Sequence, residues 1–139
     1  MIRILAALLL LAVPAAAQQK PIQTGDLATR GLSEKDYPQV KQLAPGVYSY
    51  EAAGPADPPG LMTTNSLIVV TGAGVIVADG QGNVPAAERM IAEIGKLTRE
   101  PIRYVVVCSD HGDHTAGNAA FKAAFPDVVF ISSPVSQQA

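Results

Sequence analysis

Cysteine, histidine and tryptophan are scarce in this sequence. Its 139 residues hold one cysteine, two histidines and no tryptophan. A lone cysteine, Cys108, excludes an internal disulfide, so the fold must rest on a hydrophobic core, with a bound metal as the one other staple open to it. Basic runs are also missing. Ten Lys and Arg are scattered against twelve Asp and Glu, for a net charge of −2. That mild acidity argues against a nucleic-acid partner. Long apolar runs are absent too. The unbroken run from Ile4 to Val13 is ten residues, half of the roughly 20 that a helix needs to cross a bilayer core.

What is present begins with a secretory pattern. Arg3 supplies a positive start, Ile4 to Val13 the apolar centre, and Pro14-Ala15-Ala16-Ala17 the small-residue exit before Gln18. Residues 1–17 therefore read as a signal peptide, with a periplasmic or secreted product and no stable membrane anchor after cleavage. Removing 17 of 139 residues leaves 122, and losing Arg3 takes the net charge from −2 to −3. A core is possible at that size, with a modest margin.

Residues 18–41 are polar and broken by Pro21, Gly25, Gly31 and Pro38, which predicts an irregular leader. The domain is expected over residues 42–139. Val47 to Tyr50 reads as a short strand, and Gly54 to Gly60, with three prolines and two glycines, as a loop. Asn65 to Thr71 and Gly74 to Ala78 read as strands of a hairpin turning at Gly72-Ala73. A helix enters near Pro85 and carries Ala87, Met90, Ile91, Ile94 and Leu97 on one face. Ile102 to Cys108 reads as a buried strand, followed by a polar loop over 109–115. A shorter helix around Asn118 to Phe125 and a strand over Val128 to Ser132 complete the order. This predicts an α/β layer that starts antiparallel and continues as βαβ.

Both histidines fall in that polar loop, Ser109-Asp110-His111-Gly112-Asp113-His114. In extended chain, Ser109, His111 and Asp113 share one side, and Gly112 gives His114 room to swing toward them. Imidazole and carboxylate together suit Zn²⁺, with iron or manganese less selectively matched. Parity turns Asp110 and Cys108 away, Cys108 as a core thiol. Ser109 has a possible base in His111, but no Gly-x-Ser-x-Gly turn surrounds it. Asp79 reads equally as a carboxylate near the site or as the first residue of the turn Asp79-Gly80-Gln81-Gly82-Asn83.

The stretch from Ser109 to Asn118 resembles the His-x-His-x-Asp-His signature loop of the metallo-β-lactamase fold hydrolases. The apolar strand before it and the helix start after it are part of the likeness. Upstream, Asn65 to Val70 and Gly74 to Gly80 resemble that family's early strands, which end in an aspartate beside the site. The likeness spans residues 42–134. It implies the first half of a four-layer αββα sandwich: a mixed sheet with helices on one face, and an opposite face open to association.

Carried over by position, His111 belongs to a first metal site, and Asp113 and His114 to a second. Asp113 is also the candidate catalytic carboxylate. Asp79 and Ser109 stand behind the ligands, Ser109 where the family's first histidine falls. A neutral hydroxyl is a weak donor, so of the one or two metals the family holds, one at the second site is expected. The loop before Leu61 and Met62 is a candidate flap. The implied chemistry is attack of a metal-bound hydroxide on an ester, thioester, lactone or β-lactam carbonyl of a small-molecule substrate. No histidine follows His114, and the family draws ligands from both halves. The expectation is therefore a fragment of such an enzyme. The rival is a non-catalytic remnant or periplasmic binding piece.

Overall fold

A computed structural model describes residues 27–56 and 60–136. Six strands form one sheet in the order β1 to β6, each paired with its neighbours in sequence. They are β1 (Gln39–Ala44), β2 (Val47–Ala56), β3 (Gly60–Thr71), β4 (Gly74–Ala78), β5 (Ile102–Val107) and β6 (Val129–Ser132). The first four run antiparallel in succession; β4–β5 and β5–β6 are parallel. Helix α1 (Val84–Leu97) makes the first parallel crossover. A short α2 (Gly112–Thr115) and α3 (Asn118–Ala124) make the second. The predicted α/β class and mixed sheet are those found.

The helices cover one face. Tyr50, Ile68, Val75, Val77 and Val105 from the strands meet Ala87, Met90 and Ile94 of α1 and Ala120 and Phe121 of α3 in one buried cluster. Helix α1 forms where its apolar spacing predicts. Asn83, one position before the helix, caps it by accepting the Ala86 N–H at 2.9 Å, with Pro85 in the first turn.

The other face carries two cross-strand rows. Leu67, Ala78, Val106 and Ile131 form one; Val69, Ile76, Tyr104 and Val129 form the other. Leu67, Tyr104, Val129 and Ile131 of these are exposed. Among the described residues, no helix is long and apolar enough to cross a membrane.

Three expectations need correction. The segment expected to be irregular through residue 41 holds a one-turn 3-10 helix (Glu34–Asp36) and the start of β1. Strand β1 escapes a periodicity search because it is an edge strand, with Val40 its one half-buried residue and the rest exposed. Arg30 ties the chain before it to the sheet, through Glu51 at 2.8 Å and Thr63 at 3.2 Å. Residues 1–17, read as a signal peptide, and the expected leader as far as residue 26 lie outside the described residues.

Second, the proline-rich stretch is mostly strand. Strand β2 runs to Ala56 and β3 begins at Gly60, so the described residues of the expected loop all lie in strands. Pro55 is tolerated because β1 pairs no further than Glu51, leaving this part of β2 at an edge that needs no donor. Third, Cys108 lies beyond the end of β5 and is exposed; it is not a core thiol.

Tyr50 is fully buried, and its hydroxyl has no hydrogen-bond partner. Burial pushes its pKa up, with Arg89 opposing and Glu93 assisting. Tyr50→Phe removes an unsatisfied hydroxyl and is expected to raise unfolding free energy by about 1 kcal/mol. Phe121→Ala is expected to cost about 3–5 kcal/mol. Urea unfolding of the two variants measures both.

Candidate metal centre

Strands β4 and β5 are parallel, so their carboxyl ends lie side by side, and chemistry in open α/β sheets gathers there. Asp79 follows β4 and residues 108–111 follow β5. The Asp79 N–H donates to the Val106 carbonyl at 2.8 Å. Its carboxylate crosses to the neighbouring strand end, where Oδ1 accepts the Cys108 N–H at 2.9 Å. The second oxygen, Oδ2, stands 3.0 Å from His114 Nδ1. That nitrogen is buried, and the contact falls off the line of a hydrogen bond, so the attraction is electrostatic. On the far side of the ring, His114 Nε2 is 3.5 Å from Asp113 Oδ2. One imidazole thus sits between two carboxylates.

The rest of the loop departs from the extended reading. Residues 112–115 turn into helix α2, with His111 as its N-cap, so strand alternation stops at His111. The His111 ring is exposed, and its carbonyl accepts from His114 N–H and Thr115 Oγ1, both at 3.0 Å. Ser109 turns its hydroxyl to the His111 N–H at 3.3 Å, and Asp110 is exposed. Asp79, Asp113 and His114 are therefore brought together, whereas His111 and Ser109 are not brought to them. Among the described residues, no three His, Cys, Asp or Glu side chains form a group able to hold an ion.

The donors present fit two corners of a metal site. Donors about 2.1 Å from one tetrahedral zinc stand about 3.4 Å apart, close to the 3.5 Å between His114 Nε2 and Asp113 Oδ2. A carboxylate on the opposite ring nitrogen is the usual support for a ligating histidine, and Asp79 occupies that place. Alongside lies a cavity of about 160 Å³ lined by Thr64, Ser66, Asp79, Gln81, Asp113 and His114. A second cavity of about 280 Å³ shares Met62, Thr64 and Asp113 with it and reaches Arg89 and Asn83.

Residues missed in the sequence close the back of the site. Thr64 Oγ1 donates to Gln81 Oε1 at 3.1 Å, Gln81 Nε2 donates to Ser66 Oγ at 2.7 Å, and Ser66 Oγ donates to the Asp79 carbonyl at 3.0 Å. Thr64 and Ser66 were detectable: they share the inward face of β3 with buried Ile68, and polar residues on a core face mark a site. Gln81 carried no such signal.

The loop 79–82 also lies hard against the α2–α3 segment. Gly80 N–H donates to the His114 carbonyl and Gly117 N–H to the Gln81 carbonyl, each at 2.9 Å. A Cβ on Gly117 would strike the Gly80 carbonyl oxygen and crowd Ala87 at 2.8 Å.

Cys108 is no activated nucleophile. Loss of solvation pushes its pKa up, and the Asp79 charge and a hydrogen bond to Asp79 add to the shift. Thiolate is what reacts.

The same fold is found in solved metallo-β-lactamases. The FIM-1 enzyme of Pseudomonas aeruginosa, in its mono-zinc form, aligns at TM-score 0.64 and 23% identity, over 73% of this chain and 44% of that one. A metallo-β-lactamase from Hirschia baltica aligns at 0.65 and 21%, over 73% and 45%. One from Erythrobacter litoralis, with β-mercaptoethanol in its active site, aligns at 0.64 and 26%, over 71% and 42%. The chain spans less than half the length of these structures. No family model matches the sequence, and no curated protein does.

Two outcomes follow for the site. Gly117→Ala is expected to destabilise by about 1–3 kcal/mol through overpacking. Gly112→Ala, with open space around the new methyl, should change stability by less than about 0.5 kcal/mol; thermal melts compare them. Iodoacetamide should alkylate Cys108 at pH 8 more slowly than it does a free thiol. The rate should rise with pH and increase in Asp79→Asn.

Proposed function

We propose that this chain is part of an exported, metal-dependent hydrolase of the metallo-β-lactamase superfamily. One observation carries the reading: on this fold, His114 stands between Asp79 and Asp113 at the carboxyl ends of β4 and β5. His114 Nε2 and Asp113 would hold the metal, with His111 as the loop's other imidazole. A divalent ion there supplies Lewis acidity, enough to bring a water's pKa to about 7 and to polarise a carbonyl.

The chain's own residues have definable parts. The Asp79 carboxylate, 3.0 Å from His114 Nδ1, attracts a proton to that nitrogen, which would leave Nε2 free as a metal donor. Asp113 borders both cavities, which places it beside the space a small substrate would enter. The substrate class is an ester, thioester, lactone or β-lactam. The export reading rests on residues 1–17.

A second reading, a non-catalytic binding piece, is favoured by the donor count. The loop gathers one imidazole where the superfamily's signature offers three, with Ser109 at the first position and His111 exposed.

Dialysed full-length protein tests the proposal. Zinc at about 100 times its Kd should stabilise the fold by about 2.7 kcal/mol, and EDTA should reverse the rise in melting temperature. His114→Ala should abolish the rise, and Asp113→Asn should weaken binding. Protein with no bound zinc or iron, and with the same melting temperature in EDTA, would sink the proposal.

A further inference from the structure

Asp79 and Gln81 have φ of 67° and 73°, the positive values among the described non-glycine residues. L-residues avoid this region because Cβ crowds the next carbonyl. Such conformations persist where surrounding structure over-determines them, and they cluster at working sites. At Gln81 a glycine would take the same backbone with no penalty. The chain places there instead a long amide, 2% exposed, with both ends of that amide bonded to β3.

Its partners lead in one direction. The amide oxygen accepts from Thr64 and the amide nitrogen donates to Ser66. The Ser66 hydroxyl passes the link to the Asp79 carbonyl. The N–H of Asp79 is already fixed by Val106, so the residue is held at both ends of its main chain. Its carboxylate then has one place to go, against Cys108 N–H and His114 Nδ1. If Asp79 relaxed to negative φ, the side chain would turn away from the ring.

We infer that Gln81 is a positioning residue: through Ser66 it clamps the strained Asp79 main chain, and thereby sets the orientation and tautomer of His114. The consequence for metal affinity rests on the function proposed above; the effect on His114 does not. The Asp79 oxygen lies closer to Nδ1, at 3.0 Å, than the Asp113 oxygen lies to Nε2, at 3.5 Å; its electrostatic pull favours the proton on Nδ1, whereas an unconstrained imidazole prefers it on Nε2.

The test uses the full chain labelled with ¹⁵N and long-range ¹H–¹⁵N spectra of the rings, without metal. Two histidines make the spectrum readable, and a His111→Ala protein assigns it. The unsubstituted protein is expected in the Nδ1–H form. Gln81→Leu and Ser66→Ala should move the population toward Nε2–H, as Asp79→Asn does, while circular dichroism stays native.

Gln81→Gly keeps the backbone conformation without the amide and should shift the tautomer likewise. It also decides the matter, together with Ser66→Ala, if Gln81→Leu fails to fold. In zinc titrations the same variants should bind about tenfold or more weakly. A native protein already in the Nε2–H form, or folded variants that keep the Nδ1–H form, overturns the inference. Absence of zinc binding by the unsubstituted protein defeats the proposed function but leaves the tautomer result to decide this one.

Discussion

The Asp79 carboxylate joins the two strand ends on which the site is built. One oxygen takes the main-chain N–H of Cys108 and the other faces His114. A buried-side carboxylate needs such partners, because removing it from water without them is costly. The demand explains the neighbourhood. The β4 exit turns through left-handed residues to aim the side chain, glycines at 80 and 117 let the two loops touch, and β3 supplies hydroxyls to hold the turn. The site is thus a property of how loops 79–82 and 108–118 lock together, more than of the histidine-bearing loop alone.

The lock depends in turn on the parallel pairing of β4 with β5. That pairing requires the α1 crossover, and α1 forms from an apolar stripe, an Asn83 cap and a proline in the first turn. The chain from Gly74 to Phe125 is therefore one mechanical unit, whose core contacts hold the geometry at the carboxyl ends of β4 and β5. The opposite sheet face takes no part. Its two apolar rows across β3 to β6 are what a two-sheet packing presents inward, in keeping with the fold of the solved metallo-β-lactamases.

Legibility in the sequence followed burial. Strands β3 and β4 and helix α1 announced themselves because each buries a periodic apolar face, and β5 because it is a near-continuous apolar run; the mixed topology followed from their order. Strand β1 did not, because one half-buried valine in six residues is no pattern. In the loop, the residue types point to metal chemistry, but the backbone departs from the extended chain. Extended alternation grouped Ser109, His111 and Asp113, whereas the turn of α2 leaves His111 outside and pairs Asp113 with His114. Asp79 reads evenly as a turn residue or as a carboxylate near the loop; in the structure it begins the left-handed turn and its carboxylate meets Cys108 N–H and His114. Gln81 was invisible because its part depends on a backbone angle that no neighbouring residue specifies.

The account stands or falls on whether His114 is a metal donor. With only two imidazoles in the chain, zinc titration followed by the ring ¹⁵N resonances resolves them separately. The account predicts that His114 Nε2 shifts to a ligated position in proportion to added zinc while Nδ1 keeps its proton. Unchanged His114 resonances at saturating zinc, or a shift confined to His111, would contradict it.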